Sequence, residues 1–73
     1  MFSVRVYNTT ITEVENFIED YFKNPNGIFN AIDDMYEISG GHVMIESDYD
    51  TIEDLAYALD SEGFGVLENL LPF

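Results

Sequence analysis

The sequence predicts an α+β fold in a single domain, and three observations support this prediction. Its 73 residues suffice for one domain only, because independent domains cluster near ~100 to 150 residues and chains of ~60 are already marginal. Some segments alternate apolar and polar residues with the period of a half-buried strand, whereas others repeat apolar residues with the period of an amphipathic helix. Hydrophobic residues make up 47% of the chain, well above the composition of disordered chains. We therefore expect one folded acidic domain over residues 1–73.

Periodicity predicts the first strand and the first helix. Phe2, Val4 and Val6 alternate with polar residues and are of types that strands favour. Thr10 followed by Glu13 indicates a capping box, so a helix should begin there. The apolar residues of this helix recur at helical spacing and are Ile11, Val14, Phe17, Ile18, Tyr21 and Phe22.

The middle of the chain fits two structures. Residues 24–27, Asn-Pro-Asn-Gly, should end the first helix. The apolar positions within residues 28–36 have the spacing of a short helix. Residues 35–38 alternate instead like a strand that enters a turn at residues 39–41, Ser-Gly-Gly. A helical turn followed by a strand would satisfy both patterns, and the sequence leaves the choice open.

The second half repeats the strand and helix signals. Val43 and Ile45 alternate with His42, Met44 and Glu46 within residues 42–48, and this alternation predicts another strand. Asp50 or Thr51 should then cap a helix that Gly63 ends. The core-facing residues of this helix are Ile52, Leu55, Ala56 and Leu59. Residues 64–70 fit an edge strand, followed by an apolar tail over residues 70–73.

The order strand, helix, hairpin, helix, strand is the βαββαβ plan of the ferredoxin-like fold. In this plan an antiparallel sheet carries both helices on one face. The alternative is a three-stranded sheet with three helices, in which an extra helix replaces the second strand.

Side chains suited to catalysis or metal binding are few. His42 is the single histidine, the residue type most often used as a general acid or base, and the chain has no Cys to act as nucleophile or thiolate ligand. An EF-hand loop starting at Asp48 fails, because Ile52, Glu53 and Leu59 occupy positions that need Asp or Asn, Gly and Glu. We expect no enzyme activity, no catalytic residue, no metal and no cofactor.

The charge excludes several classes of partner. Fifteen Asp and Glu stand against two basic residues, Arg5 and Lys23, for a net charge of −13. Nucleic-acid and anionic-membrane binders need clustered Lys and Arg, so neither partner is expected. The start of the chain does not resemble a signal peptide, and the expected location is the cytoplasm.

The acidic residues follow the outward faces of the predicted helices, so we expect them to form a partner-binding surface. Only Glu19 has a cation four residues on, at Lys23. A net charge of about 2 to 8 already keeps a small domain soluble, and further charge costs stability through self-repulsion. The predicted partner-binding residues are Glu13, Glu15, Glu19, Asp20, Asp33, Asp34, Asp48, Asp50, Glu53, Asp54, Asp60 and Glu62.

This density of charge is comparable with that of DNA. A duplex carries one charge per ~1.7 Å, so thirteen net charges correspond to roughly 22 Å of DNA. A compact chain of 73 residues should have a radius of gyration of about 11 Å and a diameter of roughly 29 Å. The chain can therefore present a DNA-like charge over its own length.

In size, charge, lack of Cys and acidic helix faces, the whole chain resembles the small acidic phage and mobile-element proteins that mimic DNA. These include anti-CRISPR proteins, anti-restriction proteins and uracil-DNA glycosylase inhibitors. The resemblance rests on no sequence motif, and these families share no single fold. It implies stoichiometric inhibition of a bacterial DNA-handling defence enzyme, such as a nuclease or a CRISPR or restriction complex, in the host cytoplasm.

Two further expectations concern apolar contacts. The periodicity of the predicted strands and helices turns four apolar or aromatic side chains away from the core, and these are candidate anchors for a partner: Tyr7, Met44, Tyr49 and Tyr57. The alternative function is a protein-interaction module or homodimeric adaptor that uses its apolar tail. Its contact residues would be Leu67, Leu70, Leu71, Pro72 and Phe73, and the chain would be a monomer or a homodimer.

Overall fold

A computed structural model describes residues 1–71 as one four-stranded antiparallel sheet with three helices. The elements in chain order are β1 (Phe2–Tyr7), α1 (Ile11–Tyr21), α2 (Pro25–Ala31), β2 (Asp34–Ile38), β3 (His42–Ser47), α3 (Tyr49–Ser61) and β4 (Gly65–Asn69). The strand order is β2-β3-β1-β4, with every neighbouring pair antiparallel. The prediction of an α+β fold is confirmed. The structure combines the four strands of the ferredoxin-like plan with the third helix of the alternative.

The core lies between the helices and one face of the sheet. Val4, Val6, Val43 and Ile45 point to this side from the two central strands and are fully buried. The helices contribute the remaining large buried side chains, which are Val14, Ile18, Ile52, Leu55 and Leu59. No described helix covers the opposite face. The predicted alternation in β1 and β3 and the predicted core stripe of α3 are therefore confirmed.

The segment over residues 24–38 contains both structures that its pattern allowed. Asn24 caps α2 through its side-chain oxygen, which accepts a hydrogen bond from the Gly27 N–H, and Pro25 occupies the first helical turn. Residues 24–27 thus end α1, as predicted, and also begin a new helix. The backbone then turns into β2, where Met35 packs against the core and Tyr36 lies on the opposite face.

The N-cap of α1 is the predicted residue, whereas the N-cap of α3 is a different one. Thr10 caps α1 as predicted, accepting from the backbone N–H of Glu13. The predicted cap of α3 at Asp50 or Thr51 is wrong: Asp48 has the extended backbone of an N-cap, and its carboxylate accepts from the Thr51 N–H at 2.7 Å. Asp50 and Thr51 are already helical. Gly63 ends α3 with a φ of +96°, as expected for a left-handed glycine.

The molecule is about as large as its length predicts. The Cα radius of gyration is 10.9 Å and the longest dimension is 29 Å. Leu70 packs against the core, Leu71 is exposed, and the predicted tail residues Pro72 and Phe73 lie outside the described residues. Within residues 1–71 no helix has the length and apolarity needed to cross a bilayer.

Candidate partner-binding surface

All twelve acidic residues predicted to bind a partner are exposed. The structure distributes them over three regions: the outer side of α1, the segment leading into β2, and α3 with its two ends. It does not gather all of them in one place. The largest group lies on α3 and comprises Asp48, Asp50, Glu53, Asp54, Asp60 and Glu62.

The acidic residues of α3 are spaced along the helix axis on a scale similar to that of phosphates in a nucleic-acid strand. The six carboxylates from Asp48 to Glu62 span about 21 Å of helix axis at ~1.5 Å per residue, which gives five intervals of roughly 4.2 Å on average. A single DNA strand carries one phosphate per ~3.4 Å of axis. The mean charge spacing of α3 is therefore somewhat wider than that of one DNA strand but of the same order.

A shallow groove between α3 and β4 holds the centre of this array. Tyr57 lies in the groove with 74% of its surface exposed, which makes it the most exposed aromatic residue in the described chain. Glu53 and Asp54 precede it by one helical turn and Asp60 follows it by one turn. We call this site the acidic groove, and its lining residues are Glu53, Asp54, Ala56, Tyr57, Asp60, Val66 and Glu68.

Glu68 joins the acidic groove from β4 and was not predicted. Its strand neighbour Val66 contributes apolar floor together with Ala56 of α3. The alternation along β4 indicates only that Glu68 and Val66 share a face. The packing of α3 beside this face is a feature of the tertiary structure. The periodicity of α3 or of β4 alone therefore does not reveal the groove that they share.

No Lys or Arg side chain within the described chain neutralises these carboxylates. Within residues 1–71, neither Arg5 nor Lys23 forms a salt bridge. The expected pairing of Glu19 with Lys23 does not form, because α1 ends at Tyr21 and Lys23 lies beyond the last helical turn. The acidic side chains therefore receive no counter-charge from a Lys or Arg of the described chain.

The carboxylates at the helix C-termini stand where the helix dipole disfavours them. Neither α1 nor α3 has a basic residue in its last turn, and each instead has acids there or immediately after, Glu19 and Asp20 on α1 and Asp60 and Glu62 on α3. The C-terminal end of a helix carries about half a negative charge, so anions there cost free energy. Asp20 and Glu62 also line one groove with Phe17, Tyr21 and Phe64, which brings the two negative helix ends together.

The remaining predicted anchors are more constrained than Tyr57. Tyr49 packs edge-on against Phe2 at 5.4 Å, and the nearby charge of Glu53 raises the pKa of Tyr49 above its usual value. Tyr7 packs edge-on against His42 at 4.9 Å. Met44 is half-buried on the sheet face that the helices leave uncovered. Tyr49 is also exposed, but Tyr57 is the one predicted anchor that lines the acidic groove.

His42 has a structural role in the described chain. It lies opposite Val43 and Ile45, as predicted, and its Nδ1 accepts a hydrogen bond from the Asn8 N–H at 3.1 Å. Asn8 has a φ of +54°, so this bond stabilises a left-handed turn after β1. Within residues 1–71, no three His or carboxylate side chains converge closely enough to hold a metal ion.

The comparisons with known proteins give no relative from which to infer a function. No protein-family model, no curated protein and no solved structure matches the chain. The geometry of its own residues therefore carries the functional argument.

Proposed function

We propose that this chain is a DNA-mimic inhibitor that occupies the nucleic-acid-binding site of a bacterial defence enzyme, of the anti-CRISPR or anti-restriction type. The observation that carries the proposal is the acidic groove, whose lining within residues 1–71 includes four carboxylates and the exposed ring of Tyr57 but no Lys or Arg. Glu53, Asp54, Asp60 and Glu68 supply the charge. The partner would be a positively charged DNA-binding channel, bound stoichiometrically.

The mechanism is competition for the cationic channel. Lys and Arg side chains that normally contact phosphates would form charge-assisted hydrogen bonds to the carboxylates of α3. Displaced counterions would add a driving force that weakens as salt rises. Tyr57 would supply the apolar contact at the centre of the interface, since buried Tyr side chains are frequent sources of binding energy.

The cost of this charge arrangement supports a functional explanation. Acids at both helix C-termini oppose the helix dipole, and solubility alone does not require them there. A surface used only for solubility would gain more stability from mixed charges. The placement along α3 suits a partner that supplies the missing cations.

Calorimetric titration tests the proposal directly. The probes are a purified Cas nuclease with its guide RNA, a type I restriction complex and a uracil-DNA glycosylase, each with and without its target DNA. We expect one-to-one binding to at least one probe, abolished by target DNA and weakened at least ~100-fold between ~50 and ~200 mM salt. An affinity that does not change with salt concentration, together with binding in the presence of target DNA, would contradict the mechanism.

A matched pair of variants separates local geometry from net charge. The triple variant Glu53→Gln, Asp54→Asn, Asp60→Asn removes three charges from the acidic groove. The triple variant Glu13→Gln, Glu15→Gln, Glu19→Gln removes three charges from α1. The groove variant should lose much more affinity than the α1 variant. Equal losses would show that only total charge matters.

A second candidate function is a protein-interaction module that binds through apolar surface. Its supporting observation is the exposure of Leu67 and Leu71, 56% and 75% respectively. Leu70 packs against the core, so removing the tail would also disturb the fold. The substitution Leu71→Ser is therefore the better test, and loss of a partner by a folded L71S chain would favour this function.

A further inference from the structure

The uncovered face of the sheet differs in chemistry from the rest of the surface. The strand registers place three rows of side chains on it, each crossing from β2 to β4. The middle row is mainly apolar and contains Tyr36, Met44, Arg5 and Leu67. We call this surface the open sheet face. The acidic groove lies on the helix side, and Glu68 of the edge strand β4 borders both surfaces.

The open sheet face is nearly free of net charge in a chain of −13. By register its acidic residues are Asp34 and Glu46, and its basic residue is Arg5. Glu37 and Glu68 belong by register to the other side of their strands, where Glu37 accepts from the Ile11 N–H and Glu68 lines the acidic groove. Because β4 is an edge strand, Glu68 also borders the hollow beside Arg5, Met44 and Leu67 on the open sheet face. The strong self-repulsion of the molecule is therefore weakest across this face.

Arg5 lacks a partner that its position calls for. Its Nε is buried and has no hydrogen-bond acceptor, and no described carboxylate pairs with its guanidinium. The nearby carboxylate of Glu46 instead accepts from the Tyr36 hydroxyl at 2.7 Å. A buried guanidinium nitrogen without an acceptor costs free energy. A carboxylate brought in from above the sheet would satisfy the rest of the guanidinium group, which donates through five N–H groups.

We propose that two copies of this chain pair through their open sheet faces. The pattern on this face is self-complementary about a two-fold axis that runs along the strands between β1 and β3. This axis places β1 of one copy over β3 of the other. Arg5 of the first copy then faces Met44 of the second copy and lies one row of side chains away from Glu46 of that second copy. The same operation places Leu67 over Tyr36.

The pairing would form two inter-copy ion pairs and bury the apolar row. Sheets that pack face to face lie about 10 Å apart, a gap that the long Arg5 and Glu46 side chains can bridge together. The described strands make a face about 19 Å by 17 Å at ~4.8 Å between strands and ~3.4 Å per residue. So small a footprint predicts a weak, reversible dimer below about 1,200 Å² of buried surface.

Sedimentation equilibrium of the full chain, without any partner, tests the pairing. We expect monomer and dimer to exchange with concentration, and the dimer to strengthen several-fold between ~50 and ~500 mM salt as long-range repulsion is screened. The salt dependence of the proposed inhibitor activity has the opposite sign, so the two proposals fail separately. A chain that stays monomeric at ~0.5 mM in both salts would overturn the pairing, since interfaces of this size are transient but measurable.

Variants locate the contact. Leu67→Ser and Arg5→Glu should each raise the dimer dissociation constant about 10-fold, and the double variant Arg5→Glu, Glu46→Arg should restore it. Circular dichroism confirms that each variant is folded. The proposed contact would be wrong if L67S dimerised as strongly as the native chain or if the charge swap failed to restore dimerisation. It would also be wrong if L71S weakened the dimer as much as L67S does.

Discussion

Asp48, Glu37 and Glu53 each accept a hydrogen bond within the described chain, from the Thr51 N–H, the Ile11 N–H and the Tyr49 hydroxyl respectively. The first two satisfy backbone donors at helix N-termini, where the helix dipole favours an anion. Glu13 and Glu46 also accept side-chain hydrogen bonds. A carboxylate has lone pairs on two oxygens, so a side chain that accepts one of these bonds, such as Glu53 or Glu46, can still accept from a partner.

Asp48 predicts a specific pH dependence of stability. The hydrogen bond from the Thr51 N–H lowers the pKa of Asp48 below its ordinary value of 3.8. A depressed pKa in the folded state stabilises the protein above the ordinary pKa, and the contribution is lost as pH falls through the folded-state pKa. We expect Asp48→Ala to lower the melting temperature at pH 7, with a difference from the native chain that shrinks progressively below about pH 3.8.

Thermal unfolding followed by circular dichroism between about pH 2 and 7 measures this difference. Asp54→Ala is the control, because it removes a carboxylate from the same helix without removing a cap. The D54A chain should be at least as stable as the native chain at pH 7. A D48A chain with the native melting temperature at pH 7 would contradict the assigned cap.

At the scale of the element, α3 combines two separable roles on opposite faces. Ile52, Leu55 and Leu59 bury one face in the core, while Asp54, Tyr57 and Asp60 line the acidic groove on the other side. Ala56 alone among the residues of α3 borders both the core and the groove, so stability and partner binding should respond to different substitutions at the other positions. This separation makes α3 the most informative element for mutagenesis.

Leu55→Ala and Tyr57→Ala should have opposite consequences. Leu55 is fully buried, so L55A should lower the free energy of unfolding by about 2–5 kcal/mol through lost packing and a residual cavity. Tyr57 is 74% exposed, so Y57A should change it by no more than about 0.5 kcal/mol while weakening partner binding. Urea denaturation measures the free energy of unfolding of both variants. A large loss of stability in Y57A would show that its ring is structural.

At the scale of the whole molecule, the net charge of −13 acts on every element at once. The radius of gyration of 10.9 Å keeps all carboxylates close together. The described chain contains no salt bridge from Arg5 or Lys23 to offset this repulsion. The folded state therefore has an electrostatic cost that the unfolded, expanded chain largely avoids.

Salt should consequently stabilise the fold. The Debye length falls from ~30 Å at ~10 mM to ~4 Å at ~500 mM salt, so repulsion between carboxylates on different elements is screened. We expect the melting temperature to rise over this range in dilute protein, where pairing of copies is negligible. Sodium chloride and potassium chloride should act alike if screening is the cause. A melting temperature that falls with salt would indicate stabilising ion pairs instead.

The sequence alone was sufficient for most of the local structure of this protein, although it left residues 28–38 open between helix and strand. Val4, Val6, Val43, Ile45 and the core stripe of α3 were predictable because burial of one face leaves a period of 2 or 3.6 in the chain. The outward orientation of the acids followed from the same periods. Only the cap of α3 was assigned to the wrong residue, because Asp48 and Asp50 both precede a plausible helix start and the backbone angles decide between them.

Tertiary structure alone decided which outward-facing residues are neighbours. Glu68 lies beside Tyr57 because β4 pairs with β1 under α3, and Arg5 meets Met44 and Leu67 because of the strand order. Periodicity describes each element relative to its own axis and contains no information about the elements packed against it. The acidic groove and the open sheet face are therefore properties of the assembled sheet, whereas the charge and the faces that build them are properties of the sequence.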